Sequence, residues 1–344
     1  MRNIARTIIF IMLCAVLAAT SGIGQSWAAK KKEASEAKPE KIRFMFNDGA
    51  MGLSSCVFYI AVNKRLLQNE FEKDGIKLEY VKHIGSGTNA ASAIGAGQAD
   101  FATIGDQPVV VSRANGIDIK AVGVYAQGLL GGPDRYIALM VRNDSKIKSI
   151  KDLKGKKVAV SVGTNQHVVL ARYLNYYGLK QSDIQLVNME GPDIRTALAT
   201  GTLEAGMLSQ PNIAIVATKG IAHMLDDRTH LTKNYNVYVV ANEFAKKYPS
   251  IVRRVLEVHI RAKQWIDEHP EEFLSIAADS LKLDKEVVKK ALKGLSFDLK
   301  ITKDTYRSFE ITQQFLLDNS ISRRPIDIKE AFDTRYLKTL GVTE

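Results

Sequence analysis

Residues 93–117 and 197–221 carry one pattern twice, and a duplication of this kind limits the chain to two similar units. The first copy reads AIGAGQADFATIGDQPVVVSRANGI and the second ALATGTLEAGMLSQPNIAIVATKGI. Gly97 matches Gly201, Asp100 matches Glu204, and Gly116-Ile117 matches Gly220-Ile221. Gln107-Pro108 matches Gln210-Pro211 with a slip of one residue. Two such units predict two lobes of one architecture, and the cleft between lobes is where a small ligand sits.

The N-terminus is set aside before the fold is read. Arg2 and Arg6 precede an apolar run at 8–19, and Ser26-Trp27-Ala28 offers small residues for cleavage after Ala28. Residues 1–28 are therefore read as a signal peptide. The apolar run is too short to span a bilayer, and Leu13 before Cys14 argues against a lipid anchor. Residues 29–40 are nearly devoid of apolar side chains and are expected to be a disordered leader. The mature chain keeps one cysteine, Cys56, so it forms no internal disulfide. The formal charge is +11, but lysines and arginines are scattered rather than grouped with aromatics, which disfavours nucleic acid as a partner.

Short apolar strands alternate with helical periodicity, which predicts an α/β fold with parallel-rich sheets. The order strand–helix–strand–helix–strand–helix–strand is read at 41–125 and again at 157–225. Lobe one is assigned to 41–135 plus 242–344, and lobe two to 136–241. Segments 136–141 (YIALMV) and 237–240 (VYVV) read as two hinge strands crossing between the lobes. After Asn242 the pattern turns helical, and this C-terminal segment is expected to pack back on lobe one.

Ligands of parallel α/β sheets bind beyond the carboxyl ends of the strands, where helix N-termini converge and favour anions. The loops to inspect are 47–55, 85–89 and 105–108 in lobe one, and 163–167, 190–193 and 209–211 in lobe two. They are rich in Gly, Ser, Thr and Asn, and they hold no Lys or Arg. They do hold Asp48, Asp106, Glu190 and Asp193, so a multiply charged anion is disfavoured. A monoanion held by helix ends, a zwitterion paired to a cleft carboxylate, or a neutral heterocycle fits better. Asp106, Asp193 and Ser209 read chiefly as helix caps. For Ser54, Ser55, Ser86, Thr88 and Thr164, capping and ligand contact are both open. His167 reads as either a surface histidine or a contact. Dispersed histidines and the lack of Cys-x2-Cys predict no metal site, and no nucleotide or catalytic motif stands in a fitting context. Cys56, followed by VFYIAV, reads as a buried thiol.

The order of GLSSCVFYIAVNKRLLQNEFEKDGIKLEY, AIGAGQADFATIGDQP, SIKDLKGKKVAVSVGTNQHVVLARYLNYYGL and LATGTLEAGMLSQP resembles the solute-binding proteins of ABC importers. The resemblance is to the nitrate/sulfonate/taurine type, which includes pyrimidine-precursor binders, and it covers roughly residues 41–245. It implies a two-lobed periplasmic binding protein, type II-like, that closes on its ligand and delivers it to a permease and its ATPase. It further implies a monomer with neither cofactor nor catalytic residues. Carried over by position, the contacts would be Gly52, Leu53, Ser54, Ser55, Ser86, Gly87, Thr88, Asn89, Asp106, Gly163, Thr164, Asn165, His167 and Gln210. Many relatives have Trp-Glu-Pro where Ser209-Gln210-Pro211 stands here, which leaves the solute open between a sulfonate- or taurine-like ion and a neutral heterocycle. A receptor feeding a sensor kinase and an enzyme on the same fold are the rival readings.

Overall fold

Each half of the repeat builds a parallel βαβ core of the same order. The computed structural model describes residues 37–47, 52–83, 87–129, 134–225 and 233–342. The expected signal peptide, and most of the expected leader, lie outside these residues. In the first half β1 (Lys41–Asn47) leads through α1 (Cys56–Asn63) and α2 (Leu66–Phe71) to β2 (Lys77–His83). Next come α3 (Gly87–Gly95), β3 (Phe101–Gly105), α4 (Asp106–Ala114) and β4 (Ile119–Leu129). Helices α1 and α2 are separated at Arg65, which takes a left-handed φ of 56°.

The second half opens with β5 (Ile137–Arg142), then β6 (Lys157–Val160), α5 (Asn165–Tyr176) and β7 (Gln185–Asn188). It continues through α6 (Gly191–Thr200), β8 (Ala205–Ser209), α7 (Asn212–Thr218) and β9 (Ala222–Met224). The repeat is visible in the backbone. Gly97 and Gly201 end α3 and α6 at φ 68° and 80°, and Gly116 and Gly220 end α4 and α7 at 89° and 65°. All four need the left-handed region that glycine enters without a Cβ penalty. The one-residue slip at Gln-Pro has a local cause. Gln107-Pro108 lie inside the first turn of α4, whereas Gln210-Pro211 lie just before α7.

The strand order is β2-β1-β3-β10-β4-β11 in the first sheet and β7-β6-β8-β5-β9 in the second, where β10 is Lys233–Ala241 and β11 is Leu295–Ser296. Strands β1, β2 and β3 pair in parallel, as do β6, β7 and β8. Each sheet then takes one antiparallel strand into its interior: β10 between β3 and β4, and β5 between β8 and β9. Here the structure corrects the expected hinge strands. Segments 136–141 and 237–240 are apolar because they are buried sheet interiors. Residues 233–241 accordingly belong to the first sheet rather than to lobe two. The chain passes from one sheet to the other between β4 and β5, and returns between β9 and β10.

The C-terminal helices are α8 (Asn242–Lys247), α9 (Pro249–Glu268), α10 (Pro270–Leu281), α11 (Lys285–Leu292), α12 (Lys303–Asp318) and α13 (Arg335–Thr339). Helix α9 packs on α1 and α2, and α12 packs on α4, so this segment does cover lobe one. Helix α11 departs from that expectation by packing on α7 of lobe two. Val168 and Ala171 of α5 and Ala214 and Ile215 of α7 also join the first lobe's apolar core. Val168 and Ile215 each contribute up to about 1.5–3 kcal/mol and the two alanines less, so the two lobes meet through apolar contact as well as through the chain.

Candidate functional site

The carboxyl ends of both parallel triplets point to one cavity of about 230 Å³ between the sheets. From the first lobe its wall takes Ser54 and Ser55 before α1, Gly87 at the start of α3, and Thr103, Ile104 and Gly105 of β3. Gln107 and Pro108 of α4, Tyr125 of β4, and Asn234 and Asn236 of β10 complete that side. From the second lobe come Tyr136, Ile137, Gly163, Thr164, Asn165, Gln166 and Ser209. No Asp, Glu, Lys, Arg or His stands among the described lining residues, so the described wall is polar and formally neutral. The first turns of α1, α3, α4 and α5 converge on it. Their dipole ends favour a single negative charge by about 0.3–1 kcal/mol each.

The hydroxyl set is organised by one phenol. Tyr125 Oη donates to Ser54 Oγ at 3.1 Å and lies 3.0 Å from Ser55 Oγ. Burial raises the Tyr125 pKa, and burial pushes Tyr136 up to about 12, so both phenols stay neutral hydrogen-bonding groups. In the second lobe Thr164 Oγ1 donates to Ser161 O at 2.7 Å, and Gln166 Nε2 donates to Ser209 Oγ at 3.1 Å. The lobes touch across the cavity. Gln107 Nε2 donates to Gly163 O, and a Cβ at Gly105 would come within 3.0 Å of Asn165 Nδ2.

Of the residues expected from the sequence, Ser54, Ser55, Gly87, Gly163, Thr164 and Asn165 come together at the cavity. Ser86 lies outside the described residues. Gly52 begins the short 3-10 turn before α1, and Leu53 is wholly buried in the core. Thr88 and Asn89 lie in the first turn of α3 and do not line the cavity. Asp106 is turned away into lobe one, where its carboxylate accepts from Gln107 N (2.8 Å), Thr312 Oγ1 (2.9 Å) and Ser308 Oγ (3.3 Å). His167 stands behind the wall. Its Nδ1 accepts from Gly163 N at 3.3 Å, its Nε2 lies 3.0 Å from Gln181 Oε1, and its ring meets Phe315 edge-on. Burial lowers its pKa against the raising effect of Gln181, so the ring that holds the 163–167 loop is neutral. Gln210 is also behind the wall, donating to Arg135 O at 3.1 Å and accepting from Ala214 N at 3.2 Å.

Sequence reasoning missed Thr103, Gln107, Tyr125, Tyr136, Asn234 and Asn236, and it read Ser209 chiefly as a cap. A signal existed for two of them. Asn234 and Asn236 alternate along the otherwise apolar β10, and period-two polar positions in a buried strand face one side. The thiol reading holds: Cys56 is buried, and burial pushes its pKa up to about 12. The described residues contain no cluster of three or more His, Cys, Asp or Glu side chains able to hold a metal. No described helix is long and apolar enough to cross a membrane.

The NMT1/THI5-like family matches residues 58–273, well over half of the chain. The chain belongs to this family. A Bacillus subtilis (strain 168) protein provisionally named an aliphatic sulfonates-binding protein is 27% identical over 281 residues, covering 81% of this chain and 83% of its own. The taurine-binding periplasmic protein of Escherichia coli (strain K12) is 26% identical over 211 residues, covering 60% of this chain and 63% of its own. The crystal structure of the periplasmic aliphatic sulphonate binding protein SsuA from Escherichia coli superposes with a TM-score of 0.73 at 24% identity. It covers 86% of this chain and 93% of that one, and establishes the two-lobed periplasmic binding protein fold.

Proposed function

We propose that this protein is the extracytoplasmic solute-binding receptor of an ABC importer, and that it captures a small organic anion or zwitterion of the sulfonate or taurine type. The observation that carries this reading is the neutral polar cavity between two lobes, walled by helix starts from both. A single acid group gains from those dipole ends and from neutral hydroxyl and amide donors without needing a formal cation. Binding involves no chemistry. A solute that touches both walls binds the closed arrangement better than an open one, and that difference in affinity favours closure. The bond from Gln107 to Gly163 and the edge contact of His167 with Phe315 are the contacts that closure would complete. Export by the 1–28 signal would place the receptor in the periplasm, facing a permease and its ATPase. A micromolar Kd needs about 8 kcal/mol, within reach of several such contacts plus apolar burial.

A neutral heterocycle is the second reading, favoured by the absence of any cation from the described wall. A thermal-shift panel on the refolded mature chain separates the two, because a solute at one hundred times its Kd adds about 2.7 kcal/mol. Alkanesulfonates, taurine, nitrate and aromatic carboxylates would stand against aminopyrimidines. A saturable shift with the sulfonates supports the first reading. A shift with aminopyrimidines alone replaces it.

A further inference from the structure

Buried side-chain atoms without hydrogen-bond partners concentrate at the cavity wall. Gln107 Oε1, Gln166 Oε1, Asn234 Oδ1, Asn236 Nδ2 and the Thr103 hydroxyl are all buried without a partner among the described residues, and all five residues line the cavity. Folded proteins satisfy nearly all such groups, so a cluster of exceptions at one place marks where a bound molecule supplies the partners. Gln107 and Asn234 are only 4% and 5% exposed, so bulk water is excluded from them. The orientation of Gln107 is fixed by chemistry: its Nε2 faces the carbonyl of Gly163, an acceptor, so its oxygen is the atom left over. Three of the five are amide oxygens, which only accept. Whatever meets them must donate.

The charge inventory narrows the donor. An ammonium group would want a carboxylate, and none stands among the described lining residues. Asp106 is committed to Ser308 and Thr312, and Glu190 accepts from Ser161 Oγ at 2.9 Å. Asp193 is exposed and away from the wall, and Asp48 lies outside the described residues. An alkyl end would cover the amide oxygens and leave them desolvated and unpaired. Resting on the reading of this cavity as the solute site, we propose that the bound solute presents an uncharged hydrogen-bond donor to Gln107, Gln166 and Asn234. This narrows that reading to an organic acid with a hydroxyl, carboxamide or ring N–H end, in preference to a plain alkanesulfonate or taurine itself.

The test is calorimetric titration of the stripped, refolded mature chain with propanesulfonate, aminopropanesulfonate and hydroxypropanesulfonate, and with the same three ends on a carboxylate. The hydroxyl member should bind at least ~10-fold more tightly than either of the others, the fold-change expected of one satisfied buried acceptor. Asn234→Leu should shrink that preference to below ~3-fold, and should leave the melting temperature of the free protein unchanged or raised, because it removes an unpaired acceptor. Equal binding of the three ends, or tightest binding of the alkyl or ammonium member, overturns the proposal. If no member of either series binds, the acid-receptor reading fails, and the free-protein arm still decides the inference. A fall of more than ~3 °C in Asn234→Leu would show the amide to be part of the fold, and would overturn the proposal by itself.

Discussion

His259 gives this fold a calculable sensitivity to acid. It sits on α9 with 2% exposure and joins that helix to both the first sheet and the segment after β11. Its Nε2 lies 2.8 Å from Phe297 O, which only accepts, so Nε2 carries the proton. Its Nδ1 lies 3.0 Å from Tyr238 Oη, which must therefore donate. A second proton would set two donors against each other in a site closed to bulk solvent. Burial lowers the imidazole pKa from 6.5 to about 4, against the raising effects of Phe297 O and Asp298. The sign follows from proton counting. The unfolded chain takes a proton below its ordinary value while the native state refuses one until about pH 4, so stability falls as pH drops through that window. The linkage relation gives a loss of ~2 kcal/mol between pH 7 and pH 5, approaching ~3 kcal/mol at pH 4. Urea unfolding of the wild type and of His259→Gln at pH 7 and pH 5 isolates this group, since all other titrations are shared. The wild-type curve should drop by ~2 kcal/mol more than the variant's. Parallel pH dependences would refute the assignment of His259 as a buried neutral base.

Three further outcomes follow from named contacts. Glu70 accepts from Arg254 Nε and Arg261 Nη2 at 2.7 Å each and pairs with Lys73, and these cations outweigh burial to hold its pKa below the usual range. Glu70→Gln should cost about 2–3 kcal/mol at neutral pH, read by denaturant midpoint, with the penalty shrinking as acid protonates the wild-type carboxylate. Asp106 is opposite in sign: burial raises its pKa against its hydrogen bonds. Asp106→Asn should hold or raise the melting temperature near pH 7.5, and any gain should shrink toward pH 4, where the wild type recovers stability by taking up a proton. Gly294 lies against backbone, since an added Cβ would come within 2.4 Å of Asp134 O and 3.2 Å of Tyr136 N. Gly294→Ala should destabilise by ~2 kcal/mol or more and weaken solute binding, because the displaced segment carries Tyr136 into the cavity wall.

The parts of this fold written locally were legible. Left-handed glycines, strand–helix alternation and loops without cations all act within a few residues, and they marked the repeat, the two-lobed fold and the lack of cations in the described wall. The parts created by tertiary pairing were not. YIALMV and VYVV are apolar whether they cross between lobes or lie inside a sheet, and only the pairing of β5 with β8 and of β10 with β3 distinguishes the two. Asp106, His167 and Gln210 carry the polar groups expected of contacts, but each spends them on neighbours: α12, the 163–167 loop and the α7 start. Tyr125 reaches the cavity from within β4, and Tyr136 from just before β5, in a segment that pattern reading assigned to a hinge strand. Gln107 was legible as half of the Gln-Pro repeat. Its reach to Gly163 required the second lobe to be in place.

The most direct measurement is a titration of the stripped wild-type chain and Asn165→Trp with the solute that gives the largest thermal shift. Asn165 begins α5 at the cavity wall, and an indole there would occupy the space assigned to the solute. The account predicts one site per chain in the wild type and a loss of affinity of at least ~100-fold, about 2.7 kcal/mol, in a variant that still folds. Equal affinity in both proteins would place the solute elsewhere and contradict the account.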